Sequence, residues 1–135
     1  LKGDGLAFER SAFLAGIGDV SVNPHIVKSI SYGLLSKNKF IFQRIEGYGK
    51  AFISVAGELT ILDIGDETLQ VDLSSLVGFS PDVKLKATLL RGVDNILFSG
   101  ADLFLAEVRG PGRLYIQNTP YKEFLNKFQK SIPKV

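Results

Sequence analysis

Cysteine, methionine and tryptophan are absent from the 135 residues, and histidine occurs once. Without Cys there is neither a disulfide framework nor a thiolate metal site, which fits a reducing compartment. A single His leaves metal ligation to carboxylates, and no His-containing ligand spacing occurs. No apolar run reaches the ~18–20 residues a membrane-spanning helix needs, and no secretory signal pattern is present. The cytoplasm is therefore the expected location, although the missing Met leaves room for a targeting segment ahead of Leu1. A Gly-x-Ser-x-Gly nucleophile elbow is missing too.

Charge of one sign is scarce. The net charge is +2, but Lys122, Lys127, Lys130 and Lys134 against Glu123 give the tail +3, so the body stands at −1. A chain that neutralises many phosphates shows a dense basic face, and none is evident here. Ten Phe and a 45% hydrophobic share supply a core, at a length typical of one domain. One domain over 1–135 is expected, without a linker or low-complexity segment.

What is present is a unit written twice. Sliding the sequence by 63 residues aligns Leu6–Ala56 with Leu69–Thr119 without a gap. Leu6, Ser11, Asp19, Val20, Gly47, Gly49 and Ile53 recur as Leu69, Ser74, Asp82, Val83, Gly110, Gly112 and Ile116. Lys50 falls on Arg113, and Phe52 on Tyr115. Two β units related in this way bury their apolar faces against each other, as repeat units do.

Period-two alternation dominates the second unit. In Thr68–Leu73 and Val83–Leu89 every second residue is apolar, which describes half-buried strands and puts Lys84 and Lys86 in solvent. Phe40–Ile45, Ala51–Val55, Leu59–Ile64, Leu103–Val108 and Leu114–Gln117 also read as strands. Phe42, Phe52, Leu105 and Ile116 are expected in the core. Gly110-Pro111-Gly112 suits a type II turn, and both it and Gly47-Tyr48-Gly49 read as hairpin tips. Asp66-Glu67 and Ser80-Pro81-Asp82 mark further turns. Only the end reads as helix, over about 120–130, where Tyr121, Phe124, Leu125 and Phe128 form an apolar stripe. Thr119 would cap it and Pro120 sit in its first turn.

The chemistry-bearing residues are few. His25 follows Pro24 at an expected turn, where a surface role outweighs a catalytic one. Asp63, Asp66 and Glu67 form the densest acidic cluster, and Asp94 and Asp102 flank a later loop. Paired carboxylates can do acid–base work or bind a hard cation, but keeping turns wet is the weightier reading. The Gly-rich turns precede strands rather than helices, so structural turns outweigh a phosphate cradle. Tyr48 beside Lys50 is the best candidate for base stacking, with Tyr32 and Tyr115 behind it. Tyr48 packing on a neighbouring subunit competes with that reading. No catalytic, cofactor-binding or metal residue is assigned, and no cofactor.

The stretch Phe98–Gln117, with its Gly110-Pro111-Gly112 turn and a strand ending in Gln117, resembles the mitochondrial-biogenesis "altered inheritance of mitochondria" family. Leu69–Val83 resembles the strand pair preceding that signature, and the likeness is clearest from Phe40 to Gln117. Asp102 departs from the pattern, standing where a second Gly is common, and the chain is shorter than many members. The resemblance implies an all-β fold: a β-sandwich of the double-stranded β-helix type, similar to the trp RNA-binding attenuation protein. It implies no enzyme activity and supplies no catalytic residue. The leading expectation is a non-enzymatic assembly or scaffold module that self-associates, with its protein partner unnamed. A small-ligand or RNA-binding module comes second, and an enzyme using carboxylates third.

Overall fold

The computed structural model describes residues 1–27, 41–90 and 103–119. Among these residues nine strands follow in chain order: β1 (Lys2–Glu9), β2 (Phe13–His25), β3 (Phe42–Ile53), β4 (Leu59–Ile64), β5 (Thr68–Asp72), β6 (Leu76–Phe79), β7 (Lys84–Leu90), β8 (Leu103–Arg109) and β9 (Gly112–Gln117). One 3₁₀ turn, Arg10–Ala12, joins β1 to β2. The described chain is all-β, as expected, in two antiparallel sheets. The larger runs β2-β3-β1-β6-β9-β4 and the smaller β5-β8-β7. The expected helix over about 120–130 lies outside the described residues.

Alternation explains the smaller sheet directly. Leu85 and Ala87 on β7, with Ala106 and Val108 on β8, are buried, whereas Lys84, Lys86, Glu107 and Arg109 face solvent. Lys86 stands opposite Glu107, a favourable cross-strand pair, while Lys84 opposes the like-charged Arg109. The buried row packs with Ala7, Phe42, Leu76, Phe79 and Leu114 of the larger sheet into one cluster. The sandwich core sits there. A second cluster, of Phe8, Ala12, Ile45 and Val77, collects Val20, Val22, Ala51 and Ile53. Neighbours Ala7 and Phe8 join different clusters because successive strand residues point to opposite faces.

The two halves pair in the same register. Thr68↔Arg109 through Asp72↔Leu105 on β5·β8 are Gly5↔Glu46 through Glu9↔Phe42 on β1·β3, moved 63 residues along both strands (68 against 5, 109 against 46). Lys84↔Arg109 answers Ser21↔Glu46, and Leu76↔Ile116 answers Phe13↔Ile53. Even the irregularity recurs, between Phe13 and Ala15 and between Leu76 and Gly78. The bend that follows the first strand of each half is capped alike. Glu9 accepts from the Ser11 N–H at 3.0 Å and Asp72 from that of Ser74 at 2.9 Å.

Several expectations fail, each for a readable reason. Gly47 and Gly49 are not a hairpin tip but lie inside the long strand β3, opposite Val20 and Gly18. There a Cβ on Gly49 would sit 2.0 Å from the Ile17 carbonyl oxygen, so Gly marks a close backbone approach rather than a turn. Gly110-Pro111-Gly112 is no hairpin either: β8 and β9 belong to different sheets, and the segment carries the chain between them. Its Gly110–Pro111 bond is cis, which the type II reading did not anticipate. Phe42 is buried at 2% exposure, but Phe52 is 47% exposed. Leu105 and Ile116 are half-buried.

Candidate functional site

β2 and β3 form a long two-stranded ribbon at one margin of the larger sheet. One face of it is dry, because Val20, Val22, Ala51 and Ile53 pack on the Phe8 cluster. The other face carries Tyr48, Lys50 and Phe52 of β3, opposite Asp19, Ile17 and Ala15 of β2. Tyr48 is 67% and Ile17 60% exposed there. Leu14, beside the irregularity at the start of β2, is exposed as well. Single exposed apolar residues need no explanation, but a contiguous group on one sheet face marks an interaction surface. Sequence reasoning singled out Tyr48 beside Lys50 but missed Ile17 and Phe52, since Gly16, Gly18 and Pro24 obscure the alternation of β2 and Phe52 reads as core.

The opposite margin is β4. Leu59, Ile61 and Leu62 are exposed, and its only charge is Asp63. No Lys or Pro guards it, unlike most solvent-facing edges. Asp63 accepts a hydrogen bond from Arg113 Nε at 2.8 Å, with both side chains mostly in solvent. That hydrogen bond, aided by Tyr115, raises the Arg113 pKa further above its ordinary value.

The expected chemical residues are not brought together. His25 is no turn residue: it ends β2 opposite Phe42, with its ring edge-on to Phe79 at 5.7 Å. Burial, and secondarily the positive charge of Arg44, push its pKa below the ordinary value of 6.5, so the imidazole is neutral at pH 7. Among the described residues no hydroxyl or carboxylate hydrogen-bonds it. Asp63 is held by Arg113, while Asp66 and Glu67 lie exposed in the loop between β4 and β5. Asp94, Asp102 and Tyr32 lie outside the described residues. Among those described, no three of His, Asp and Glu gather as a metal set, and no helix is long and apolar enough to cross a membrane. A shallow depression of about 270 Å³ is lined by Glu9, Arg10, Ser11 and Ile41. Tyr115 is half-buried against the second cluster. Tyr48 stays exposed, though its hydroxyl lies against Gly3, where an added Cβ would meet it at 2.6 Å.

The described residues form a two-sheet antiparallel β-sandwich with an exposed apolar group on its β2–β3 ribbon. The sequence matches the family described as mitochondrial biogenesis AIM24 over residues 1–119, and the chain belongs to that family. Its fold is similar to the crystal structure of a protein from Streptococcus pyogenes, with a TM-score of 0.76 at 19% identity. That likeness covers 98% of this chain and 57% of the other, so the chain spans little more than half the length of that neighbour. No curated protein matches the sequence.

Proposed function

We propose that this chain is a non-enzymatic assembly or scaffold module of its family, built from a duplicated β unit and self-associating through the β2–β3 ribbon. The observation that carries the reading is the apolar group Ile17, Tyr48 and Phe52 exposed on one face of a regular ladder. Each large side chain that becomes fully covered contributes about 1.5–3 kcal/mol to association. A two-fold copy would place the same ribbon on itself, the commonest way oligomers close. The absence of Cys supports a reducing compartment, and the cytoplasm is the proposed location.

The test is the mass of the native protein by light scattering, for wild type and for Ile17→Asp. The reading expects an oligomer that the variant converts to a folded monomer. A wild type that is monomeric at every concentration would refute self-association. A second reading, binding of single-stranded RNA, draws on Tyr48 and Lys50 sharing a face. Asp19 directly opposite Tyr48 counts against it, because phosphates approach cations and avoid carboxylates.

A further inference from the structure

Little apolar burial holds β4 to the sandwich. Leu59, Thr60, Ile61, Leu62 and Asp63 all face solvent, and only Ile64, its last residue, is buried. The strand lies against β9 in register from Leu59↔Gln117 to Ile64↔Gly112. Near the Ile64 end the added contact is the Asp63–Arg113 pair at 2.8 Å, whose side chains are 76% and 51% exposed, so solvent screens it.

The Leu59 end is fastened differently. The Ala56 N–H donates to Gln117 Oε1 at 2.9 Å, and the Glu58 N–H donates to Asn118 Oδ1 at 3.0 Å. In return the Asn118 N–H donates to the Glu58 carbonyl at 3.2 Å. Asn118 thus takes both main-chain groups of Glu58, one through its backbone and one through its side chain, and prolongs the ladder past Leu59↔Gln117. Gly57, between the two captured amides, has φ +77°, and a Cβ there would lie 2.2 Å from Asn118 Oδ1. The bend needs Gly for its dihedral and for the space that the Asn118 side chain fills. One backbone bond at this place is common to both halves, from the Gln117 N–H to Ser75 and from the Ser54 N–H to Ala12. The side-chain amides are not: the counterparts of Gln117 and Asn118 in the first half are Ser54 and Val55.

We propose that Gln117 and Asn118 form a clasp on the junction between the two halves, and that β4 peels from β9 starting at its Leu59 end, without unfolding of the sandwich, as often as this clasp allows. Segments with few buried apolar contacts open locally at a lower free energy than the whole fold. The closed clasp holds two amides of the junction and so positions the start of β4. When it opens, Ile64, packed in the core cluster, still anchors the far end. The device is independent of the self-association reading, because β4 and the β2–β3 ribbon lie at opposite margins of the larger sheet.

Amide hydrogen exchange of the whole chain, read residue by residue by NMR, is the test. Alternation from the Glu58–Asn118 pair turns the Thr60, Leu62 and Ile64 N–H groups toward β9, so these three report on the strand. Gln117→Ala and Asn118→Ala each remove one hydrogen bond and should speed exchange at Thr60 and Leu62 by about 3- to 10-fold, with a smaller change at Ile64. Ala106 and Val108, on the central strand of the smaller sheet, should keep their wild-type rates. Gln117→Glu retains an acceptor oxygen and should restore the protection that Gln117→Ala loses. Gly57→Ala, whose methyl takes the place of Asn118 Oδ1, should speed the same amides as Asn118→Ala. Unchanged exchange at Thr60 and Leu62 in either alanine variant would overturn the proposal. Equal acceleration at Ala106 and Val108 would overturn it as well, since β4 would then open only with the whole fold.

Discussion

Replacing Phe79 by Ala removes the side chain on which the sandwich core turns. Phe79 is 1% exposed, stands 5.2 Å from the Phe42 ring at 67°, and receives the edge of His25 at 5.7 Å. Deleting a buried Phe costs its transfer energy plus the cavity left behind, about 3–5 kcal/mol in total. The edge-to-face arrangement with Phe42 accounts for about 0.5–1.5 kcal/mol of that. For a domain of this length the loss corresponds to a Tm lower by about 10–25 °C. Urea unfolding of Phe79→Ala, Phe42→Ala and the double variant measures both the loss and the coupling between the rings. Phe52→Ala, a Phe at 47% exposure, is the control and should change the monomer's stability by no more than about 0.5 kcal/mol. A loss below about 1 kcal/mol for Phe79→Ala, or equal losses at Phe79 and Phe52, would refute this assignment of the core.

Gly112→Val should destabilise the fold by about 2–4 kcal/mol, because φ is +150° and a Cβ would meet Val83 Cγ2 at 2.6 Å; unchanged thermal unfolding would contradict that packing. His25 gives a pH signature of known sign. Its folded pKa is lowered, so above the ordinary imidazole range both states are neutral and it contributes no slope. As the pH falls from about 7.5 to 5.5 the unfolded chain takes up a proton that the folded one resists, and stability declines. His25→Phe should flatten that decline in urea midpoints, and an unchanged slope would exclude His25 as its source. Asp63→Asn removes an ion pair whose side chains are 51% and 76% exposed, so its effect on unfolding should be small and vanish in high salt.

Much of the β architecture was legible because one-sided burial leaves a period of two. Val83–Leu89 and Thr68–Leu73 showed it plainly, and their strands lie within a residue or two of the expected bounds. β1 and β2 gave no such signal. Gly3, Gly5, Gly16, Gly18 and Pro24 interrupt them, and the exposed Leu14 and Ile17 invert the usual rule. The Gly-rich segments misled for a related reason. Glycine permits a turn, but it equally permits two backbones to approach, as Gly49 does against Ile17. Nothing local in sequence separates these cases. Beyond Tyr48 and Lys50 the candidate surface was invisible for the same cause as the Phe52 error: apolar character does not say whether a face is covered. Only the ladder register shows that Tyr48, Lys50 and Phe52 share one face.

Hydroxyl-radical footprinting across a dilution series tests the proposed assembly most directly, because it reads the exposed side chains themselves. If copies associate through the β2–β3 ribbon, oxidation of Ile17, Tyr48 and Phe52 should fall together as protein concentration rises. Tyr48 and Phe52 in Ile17→Asp should stay fully reactive at every concentration. Constant reactivity of Tyr48 and Phe52 in a wild type that nonetheless oligomerises would place the contact elsewhere and contradict the account.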